Sequence, residues 1–596
     1  MSSVPDRSDV DAQYKWDLES LYVSDEEWEA AFEEASDRVD DLAAYEGRAT
    51  EDAETLLATL ETYETLMRQV SNVAAYARMR SDEDTTDSHY QALSARAQSL
   101  ASQASSAASF IEPEIQQAGR DRIESLLAEN ETLEEYDHYV DDVLRTAEHT
   151  RSTEVENLLA DLGEVLDAGG EVYNMLTNAD MEFPAVETPD GEERPITLNN
   201  FTTLQKHPDR QFRRDVYEAF YDEWETVRNA VAAAHKKSVK TDVKLAHARD
   251  YDTAREAALD GPNVPVEVYD TLVDTVRDEL DRLHHHADLK RQAVGADDLR
   301  MWDLYVPLVD SESPEVPYDE AREYVVDAVA PLGEAYQSRL AEGLDSRWVD
   351  VYETANKQSG AYSGGTYDSQ PYILMNYQDD VESMYTLAHE LGHSMHSELT
   401  SDEQPYVYAS YEIFVAEVAS TVNETLLTEH LLDVVEDEQL RRHVLNEYLE
   451  RFRSTLYRQT MFAEFEHRTH ELAEDGEALT ADRLDELYRE LKGDYYEPAV
   501  LDDRIAREWM RIPHFYRAFY VYQYATGISA AVALVDGILE EGEPAAERYR
   551  EFLQSGSRQY PLELLADAGV DMSSPDPIRA ALSTYGEYLD EFERLQ

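Results

Sequence analysis

The chain contains no cysteine, and this absence excludes three kinds of chemistry at once. Disulfides cannot stabilise the fold, thiolates cannot bind a metal, and no cysteine can act as a nucleophile. Any catalytic metal must therefore be bound by histidine, aspartate or glutamate side chains.

Basic residues are also scarce. Lysine and arginine number 51 against 128 aspartates and glutamates, which gives a formal net charge of −77. So acidic a surface excludes nucleic acid and anionic membrane as expected partners. With 42% hydrophobic residues and 39 tyrosines the chain can still form a packed core. An acidic, lysine-poor protein that folds is typical of a salt-rich cytosol, where counterions screen self-repulsion, so we predict a halophilic source.

Long apolar runs are almost absent. One uncharged run, 518–535, approaches the ~20 residues that a membrane span needs. It contains Gln523, Thr526 and Ser529, and a buried helix is the better interpretation. The N-terminal residues show no apolar signal region. We therefore expect a soluble, cytoplasmic protein with no membrane partner.

Helical periodicity dominates the rest. Apolar residues recur every three to four positions in many segments, and strand signals are few. One hairpin is predicted within 181–198, and a strand region with a turn at Gly364-Gly365 within 360–377. The prediction is a mainly α protein with a small sheet close to the site. We expect an N-terminal helical lobe over 1–195 and a catalytic domain over 196–596.

The segment His389-Glu390-Leu391-Gly392-His393 carries the clearest chemistry. Residues four apart lie on one face of a helix, so two imidazoles can bind one Zn²⁺. Glu390 follows the first ligand and can take a proton from water. Asp379 is the predicted N-cap of this helix, with Glu382 as its reciprocal partner.

A third ligand has to be found elsewhere, because a catalytic zinc usually has three protein ligands. Glu417, in an apolar stretch, is a better candidate than the exposed Asp402 or Glu403. Glu424 lies two turns further along the same face and could orient a ligand histidine. Other histidines are interpreted as structural, namely His396 and the run His284-His285-His286.

A block of aromatic residues follows His514 and includes Tyr520, Tyr522 and Tyr524. Hydrolysis of an amide places negative charge on the carbonyl oxygen, and a tyrosine hydroxyl or histidine N–H can stabilise it. An aromatic stripe in the core is an equally good interpretation of these residues.

Six blocks spread over nearly the whole chain share a pattern with a known family of enzymes. They are 14–22, 301–308, 360–377, 389–396, 414–424 and 514–527. In sequence and order these blocks resemble oligoendopeptidase F, a zinc metallopeptidase of the thimet-oligopeptidase type, family M3. The resemblance implies a multi-helical, two-lobed fold with a deep channel that admits short peptides. It implies one Zn²⁺ per chain with His389, His393 and Glu417 as ligands, and Glu390 as general base.

The resemblance also implies a function, an endopeptidase that cleaves internal bonds of oligopeptides. His514 and one tyrosine would stabilise the oxyanion, with Tyr522 favoured over Tyr524 and Tyr520. The strand region with Gly364, Gly365 and Tyr372 would bind substrate by strand addition. The alternatives are a zinc carboxypeptidase or aminopeptidase, and a non-catalytic peptide-binding protein. Cleavage preference and oligomeric state stay open.

Overall fold

The computed structural model describes residues 4–309 and 313–595, and this part of the chain is mainly helical, as predicted. The strands are β1 (Ala185–Glu187), β2 (Glu193–Pro195), β3 (Val349–Tyr352), β4 (Tyr362–Gly364) and β5 (Tyr372–Tyr377). The α-helices are α1 (Asp25–Ala43), α2 (Ala53–Glu83), α3 (Ser88–Ala108), α4 (Ile111–Ala118), α5 (Arg120–Glu129), α6 (Asp137–Arg145), α7 (Thr153–Asp161), α8 (Gly163–Leu166), α9 (Ala168–Met175), α10 (Phe201–Gln205), α11 (Arg210–Ala248), α12 (Ala254–Asp260), α13 (Val266–Asp278), α14 (Leu280–Ala293), α15 (Tyr318–Ala328), α16 (Glu334–Asp345), α17 (Val381–Glu403), α18 (Ile413–Val434), α19 (Glu438–Arg451), α20 (Gln459–Glu474), α21 (Ala481–Tyr495), α22 (Tyr522–Glu541), α23 (Glu543–Leu553), α24 (Pro561–Asp567) and α25 (Asp576–Arg594).

Contacts divide the chain into two compact units, each assembled from three separate segments. The first unit comprises Met1–Glu148, Pro314–Val435 and Leu534–Val570. The second comprises His149–Ser313, Glu436–Ala533 and Asp571–Gln596. The boundary that we predict between residues 195 and 196 falls inside the second unit, so the contacts do not separate the chain there.

The N-terminal helices of the first unit show how its sequence forms a core. In α1 the side chain of Ser24 accepts the Glu27 N–H as an N-cap, and acidic residues fill the first turn, where the helix dipole favours them. The buried positions Trp28, Ala35 and Leu42 recur every seven residues and form one face. The Trp28 indole N–H donates to the Val73 carbonyl oxygen at 2.9 Å, so this face is fixed against α2.

The small sheet of the first unit has the order β3-β5-β4. Strand β3 pairs in parallel with β5, and β4 pairs with β5 antiparallel, so β4 is an edge strand. Helix α17 begins four residues after β5 ends, which confirms the predicted sheet beside the helix that carries His389 and His393. In the second unit, β1 and β2 form the predicted antiparallel hairpin.

The N-cap of α17 is Asp380 and not Asp379, so this prediction was wrong by one residue. The Asp380 carboxylate accepts the Ser383 N–H at 2.8 Å. Asp379 has a positive φ of 52° and turns the chain, which lets Asp380 take the extended conformation of a cap.

Helices α17 and α18 approach each other at backbone distance. A Cβ on Gly392 would lie 2.6 Å from the Ala419 carbonyl oxygen and 2.6 Å from Ser420 Cα. Only glycine permits this approach, because both neighbours are backbone atoms. The close packing brings Glu417 on α18 to the histidines of α17.

The uncharged run 518–535 ends in α22, whose central residues Ala530, Ala531 and Val532 are fully buried. The prediction of a buried helix is therefore confirmed for the part of the run that lies in α22. Within the described residues, no helix combines the length and apolarity that crossing a bilayer requires.

Candidate metal centre

The three predicted metal ligands meet in the first unit. The Nε2 atoms of His389 and His393 lie 3.2 Å apart. The Glu417 Oε2 atom lies 3.6 Å from the first and 3.9 Å from the second. Ligand atoms on a tetrahedral zinc, each at about 2.0–2.1 Å from the ion, are separated by roughly 3.3 Å. The donor set therefore fits a zinc ion in type, number and spacing.

Glu424 orients the first histidine. The His389 Nδ1 atom and the Glu424 Oε1 atom lie 2.7 Å apart, and the Glu424 side chain is only 5% exposed. A carboxylate can only accept here, so Nδ1 carries the proton and the Nε2 lone pair is free to bind a metal. Burial is the largest single influence and lowers the pKa of His389, but the hydrogen bond and charge of Glu424, together with the charges of Glu390 and Glu417, outweigh it and the net shift of the pKa is upward.

His393 is held neutral by its surroundings. Burial, followed by the neighbouring His389, lowers its pKa to about 3. A neutral imidazole is the form that binds a metal, since a protonated ring has no free lone pair. The electrostatics of this histidine therefore agree with a role as ligand.

Glu390 lies on the same helix and is nearly buried, at 7% exposure. Burial raises the pKa of its carboxyl, while a backbone hydrogen bond from Ser363 on β4 works in the opposite direction. The Ser363 and Ser394 hydroxyls lie 2.8 Å apart and tie β4 to α17. The edge strand is thus fixed directly beside the glutamate.

The predicted substrate strand is only partly as expected. Gly364 and Gly365 are half-buried at the edge of the sheet, and the φ of +145° at Gly365 is a conformation that side chains rarely adopt. Tyr372 pairs with Gly364 in the ladder, but its side chain is fully buried and its hydroxyl lies 2.7 Å from that of Ser20. Strand addition at Tyr372 is not supported by this arrangement, because β5 lies between β3 and β4 and the Tyr372 ring supports the strand from within the core.

The remaining histidines behave as structural residues. His396 is buried and stacks on Tyr411 with 3.7 Å between ring centroids. His284 contacts the Asp494 carbonyl, and His286 contacts the Tyr585 hydroxyl. His285 lies with Asp590 and Glu593 in a group whose ligand atoms lie within 4.8 Å of one another. Both acids are exposed, and the 3.2 Å ion pair from His285 to Glu593 already explains the group.

In the second unit, His514, Tyr520 and Tyr524 form a cluster that we call the aromatic trio. The His514 ring lies 5.8 Å from that of Tyr520 and 5.9 Å from that of Tyr524, and the two tyrosine hydroxyls are 3.4 Å apart. All three residues are half-buried. Burial is the main cause that lowers the pKa of His514.

Tyr522, which we favoured for the oxyanion, is not part of this trio. It is 1% exposed and packs on Tyr269 with 5.1 Å between centroids. Its burial against a core neighbour argues against the preference for Tyr522. Tyr520 and Tyr524 are better placed to meet a ligand.

One functional candidate was not predicted at all. Glu466 on α20 is buried, and its Oε1 accepts the Phe519 N–H at 2.8 Å. Phe519 precedes Tyr520 and has a positive φ of 52°, an uncommon conformation for a bulky residue. Burial raises the pKa of Glu466 to about 8. Phe462 and Phe465 lie near Glu466 in the sequence, but nothing there indicated the partner.

A mainly helical protein with a His-His-Glu donor set and a buried glutamate beside it has the architecture of a metallopeptidase. The comparisons with known proteins agree. The profile of Peptidase family M3 matches residues 203–584, and that of Oligopeptidase F matches 114–183. The chain belongs to peptidase family M3 and is a peptide-bond hydrolase.

Relatives match over nearly the full length. The chain is 44% identical to oligopeptidase PepF of Bacillus subtilis, covering 100% of this chain and 89% of the relative. It is 40% identical to group B oligopeptidase PepB of Streptococcus agalactiae, covering 99% and 98%. The crystal structure of oligoendopeptidase-F from Enterococcus faecium superposes with a TM-score of 0.75 at 36% identity, covering 96% and 99%.

Proposed function

We propose that the protein is a zinc-dependent endopeptidase that cleaves internal bonds of short peptides. The observation that carries this proposal is the convergence of His389, His393 and Glu417, with Glu390 on the same helix. The similarity to proteins named oligopeptidase and oligoendopeptidase supports the substrate class.

The metal would be held by His389 Nε2, His393 Nε2 and a Glu417 oxygen, with Glu424 fixing the tautomer of the first ligand. When bound, zinc supplies a Lewis acid for the scissile carbonyl and lowers the pKa of a water molecule to near neutrality. The choice of zinc follows from the donor set, since two imidazoles and one carboxylate form a common catalytic zinc site.

Glu390 is the proposed general base. Its carboxylate accepts a proton from the attacking water and then delivers it to the leaving amine. Its burial raises its pKa, which suits a group that must both accept and return a proton near neutral pH. The contact with Ser363 keeps this carboxylate beside the edge strand.

The edge strand β4 is the proposed binding surface for the peptide backbone. Its outer side has no strand partner among the described residues, so an extended peptide can pair with it. Gly364 and Gly365 are half-buried and have no side chains of their own at this edge of the sheet. This mode selects extended segments and disfavours folded proteins.

The aromatic trio is the proposed source of hydrogen bonds to the oxyanion. Tyr520 and Tyr524 carry hydroxyl donors, and His514 carries a ring N–H. This role is a prediction from the resemblance, and replacement of each tyrosine by phenylalanine tests it.

The central test uses a quenched oligopeptide blocked at both ends. We expect internal cleavage that a chelator abolishes and added zinc restores, and we expect Glu390→Gln to lose activity by at least about 10³-fold while retaining zinc. The exposed Glu382→Gln on the same helix is the matched control and keeps full activity. Chelator-resistant turnover, or an active Glu390→Gln variant, contradicts the mechanism.

The same assay tests the exopeptidase alternative. If the blocked peptide is not cleaved internally but terminal residues are released from unblocked peptides, the protein is an exopeptidase.

The acidic composition supports a further proposal, a salt-rich cytoplasm as the working environment. The net charge of −77 creates self-repulsion that counterions screen. We expect the thermal midpoint to rise steadily from low salt to molar KCl. A midpoint that is independent of salt argues against a halophilic source.

A further inference from the structure

A cavity of about 450 Å³ lies in the first unit beside the edge strand β4. Its wall includes Gly364 and Gly365 at the end of β4, and Ser397 and Ser401 on α17. The volume falls within the range of small-molecule pockets, roughly 300–1,000 Å³. Both the strand and the helix also belong to the candidate metal centre.

The position of the cavity follows from the geometry of α17. Ser397 lies seven residues after Glu390, which is about 10 Å along the helix at roughly 1.5 Å per residue. An extended peptide advances about 3.3 Å per residue. About three residues of an extended peptide therefore span the distance between Glu390 and Ser397 along α17.

The wall of the cavity is rich in aromatic rings. The rings of Tyr367 and Tyr406 meet edge to face, with 5.5 Å between centroids and an interplanar angle of 90°. Tyr63 on α2 and Tyr139 on α6 complete a set of four tyrosines. Such rings favour another aromatic ring, because edge-to-face and offset contacts add to the burial of apolar area.

Apart from Glu398, the polar side chains of the wall are hydroxyls. Ser71, Ser397 and Ser401 line the cavity, and Thr366 Oγ1 is buried without a hydrogen-bond partner among the described residues. The carboxylate in the described wall, Glu398, is paired with Arg339. An uncharged group with an apolar body and a polar tip matches this wall.

We propose that this cavity is a specificity pocket for an aromatic side chain of the substrate, tyrosine above all, about three residues from the cleaved bond. The inference rests on the proposed function. The peptide backbone pairs with β4, the aromatic ring enters among the four tyrosines, and the phenolic hydroxyl bonds to Thr366 or a serine. Recognition of the substrate side chain would thus take place beside the strand that binds the peptide backbone and the helix that carries Glu390.

The test uses a set of blocked, quenched alanine-rich peptides with one tyrosine moved along the sequence. Cleavage positions are read by mass spectrometry. We expect kcat/KM to rise about tenfold to hundredfold when tyrosine lies about three residues from the cleaved bond on one side of it. Phenylalanine at that position gives a smaller gain, because it lacks the hydroxyl.

Variants connect this preference to the cavity. Ser401→Phe fills the cavity and should bring the ratio of kcat/KM for the best tyrosine peptide to kcat/KM for the all-alanine peptide down to about one. Ser401→Ala removes only a hydroxyl and should keep most of the gain. Glu403→Phe adds the same ring at an exposed position of α17 outside the cavity and should change nothing.

The outcomes separate this inference from the proposed function. Equal cleavage of all peptides by the wild-type protein overturns the pocket but leaves the endopeptidase intact. A tyrosine preference that survives Ser401→Phe overturns the assignment to this cavity. Failure to cleave any peptide contradicts the proposed function itself.

Discussion

The metal centre of the first unit and the aromatic trio of the second are built on different kinds of backbone. His389, Glu390 and His393 share one regular helix, and Glu417 and Glu424 share the helix packed against it. The trio instead spans a 3₁₀ turn at His514, a left-handed residue at Phe519 and the first turn of α22.

This difference has a physical consequence. On a helix the side-chain directions follow from the spacing of residues, so the ligands are fixed once α17 and α18 are packed. In the trio the directions depend on a few unusual dihedrals, which need support from outside the segment. We therefore expect the metal centre to depend on helix packing and the trio to depend on single hydrogen bonds.

The largest effect is expected from closing the gap between α17 and α18. Gly392→Ala places a Cβ 2.6 Å from backbone atoms of Ala419 and Ser420, so the helices must separate. We expect a loss of about 1–3 kcal/mol in the free energy of unfolding and loss of bound zinc together with activity. Chemical denaturation and metal analysis measure both.

The control for this substitution is Gly537→Ala in α22. A Cβ at Gly537 has no neighbour within 4 Å. Alanine in a helix interior is preferred over glycine by roughly 1 kcal/mol, so this variant should be unchanged or more stable. A stable, zinc-loaded Gly392→Ala variant contradicts the view that helix packing sets the metal centre.

The next effect distinguishes the tyrosines. Tyr520→Phe or Tyr524→Phe should lower kcat about 10²–10³-fold with little change in KM, since one oxyanion donor is lost. The larger loss identifies the donor. Tyr522→Phe is the matched control and should stay within about threefold of wild type, because this ring is buried against Tyr269. A large loss in the control alone restores our original preference for Tyr522.

The arrangement of the candidate metal centre was easier to predict from the sequence than that of the trio, because helical spacing fixes the directions of side chains. Spacing alone places His389 and His393 on one face, and apolar neighbours made Glu417 and Glu424 credible. Even there the cap was misplaced, because the positive φ of Asp379 leaves no clear mark in the sequence.

The trio was harder to predict. Alternating tyrosines indicated a shared face, but the turn at Phe519 and the start of α22 at Tyr522 send Tyr522 into the core. Glu466 lies 53 residues before Phe519, and local patterns do not report such a pairing. The discontinuous units were missed for the same reason, since contacts between distant segments define them.

A smaller effect is expected at Glu424. Glu424→Gln keeps the shape of the side chain but removes the charge that fixes and polarises His389. Substitutions of such supporting carboxylates typically cost 10–100-fold in metal affinity. Chelator competition measures the zinc Kd, and Asp433→Asn at the exposed end of α18 is the control. An unchanged Kd in Glu424→Gln shows that the ligand geometry of the two helices suffices alone.

The smallest effect concerns the support of the trio by Glu466. Glu466→Gln keeps an acceptor for the Phe519 N–H and should hold kcat within about threefold of wild type, whereas Glu466→Leu leaves this buried N–H unpaired. Such a loss costs about 1–3 kcal/mol in the free energy of unfolding, and we expect kcat to fall about tenfold as the trio loosens. Rescue by glutamine and not by leucine separates positioning from mere packing.

The pH dependence of stability gives an independent measurement of the same contact. The folded-state pKa of Glu466 is raised to about 8, above the ordinary carboxyl value of 4.5, so the unfolded chain releases this proton first. The wild-type protein should therefore lose stability through this group as pH rises from about 4.5 to 8, since folding then requires a proton to be taken up. Glu466→Gln has no such proton, so its stability relative to wild type should increase across that window. If the difference in the free energy of unfolding between Glu466→Gln and wild type stays constant with pH, the Glu466 carboxyl lies in a more polar environment. The trio would then depend less on this single hydrogen bond than we expect.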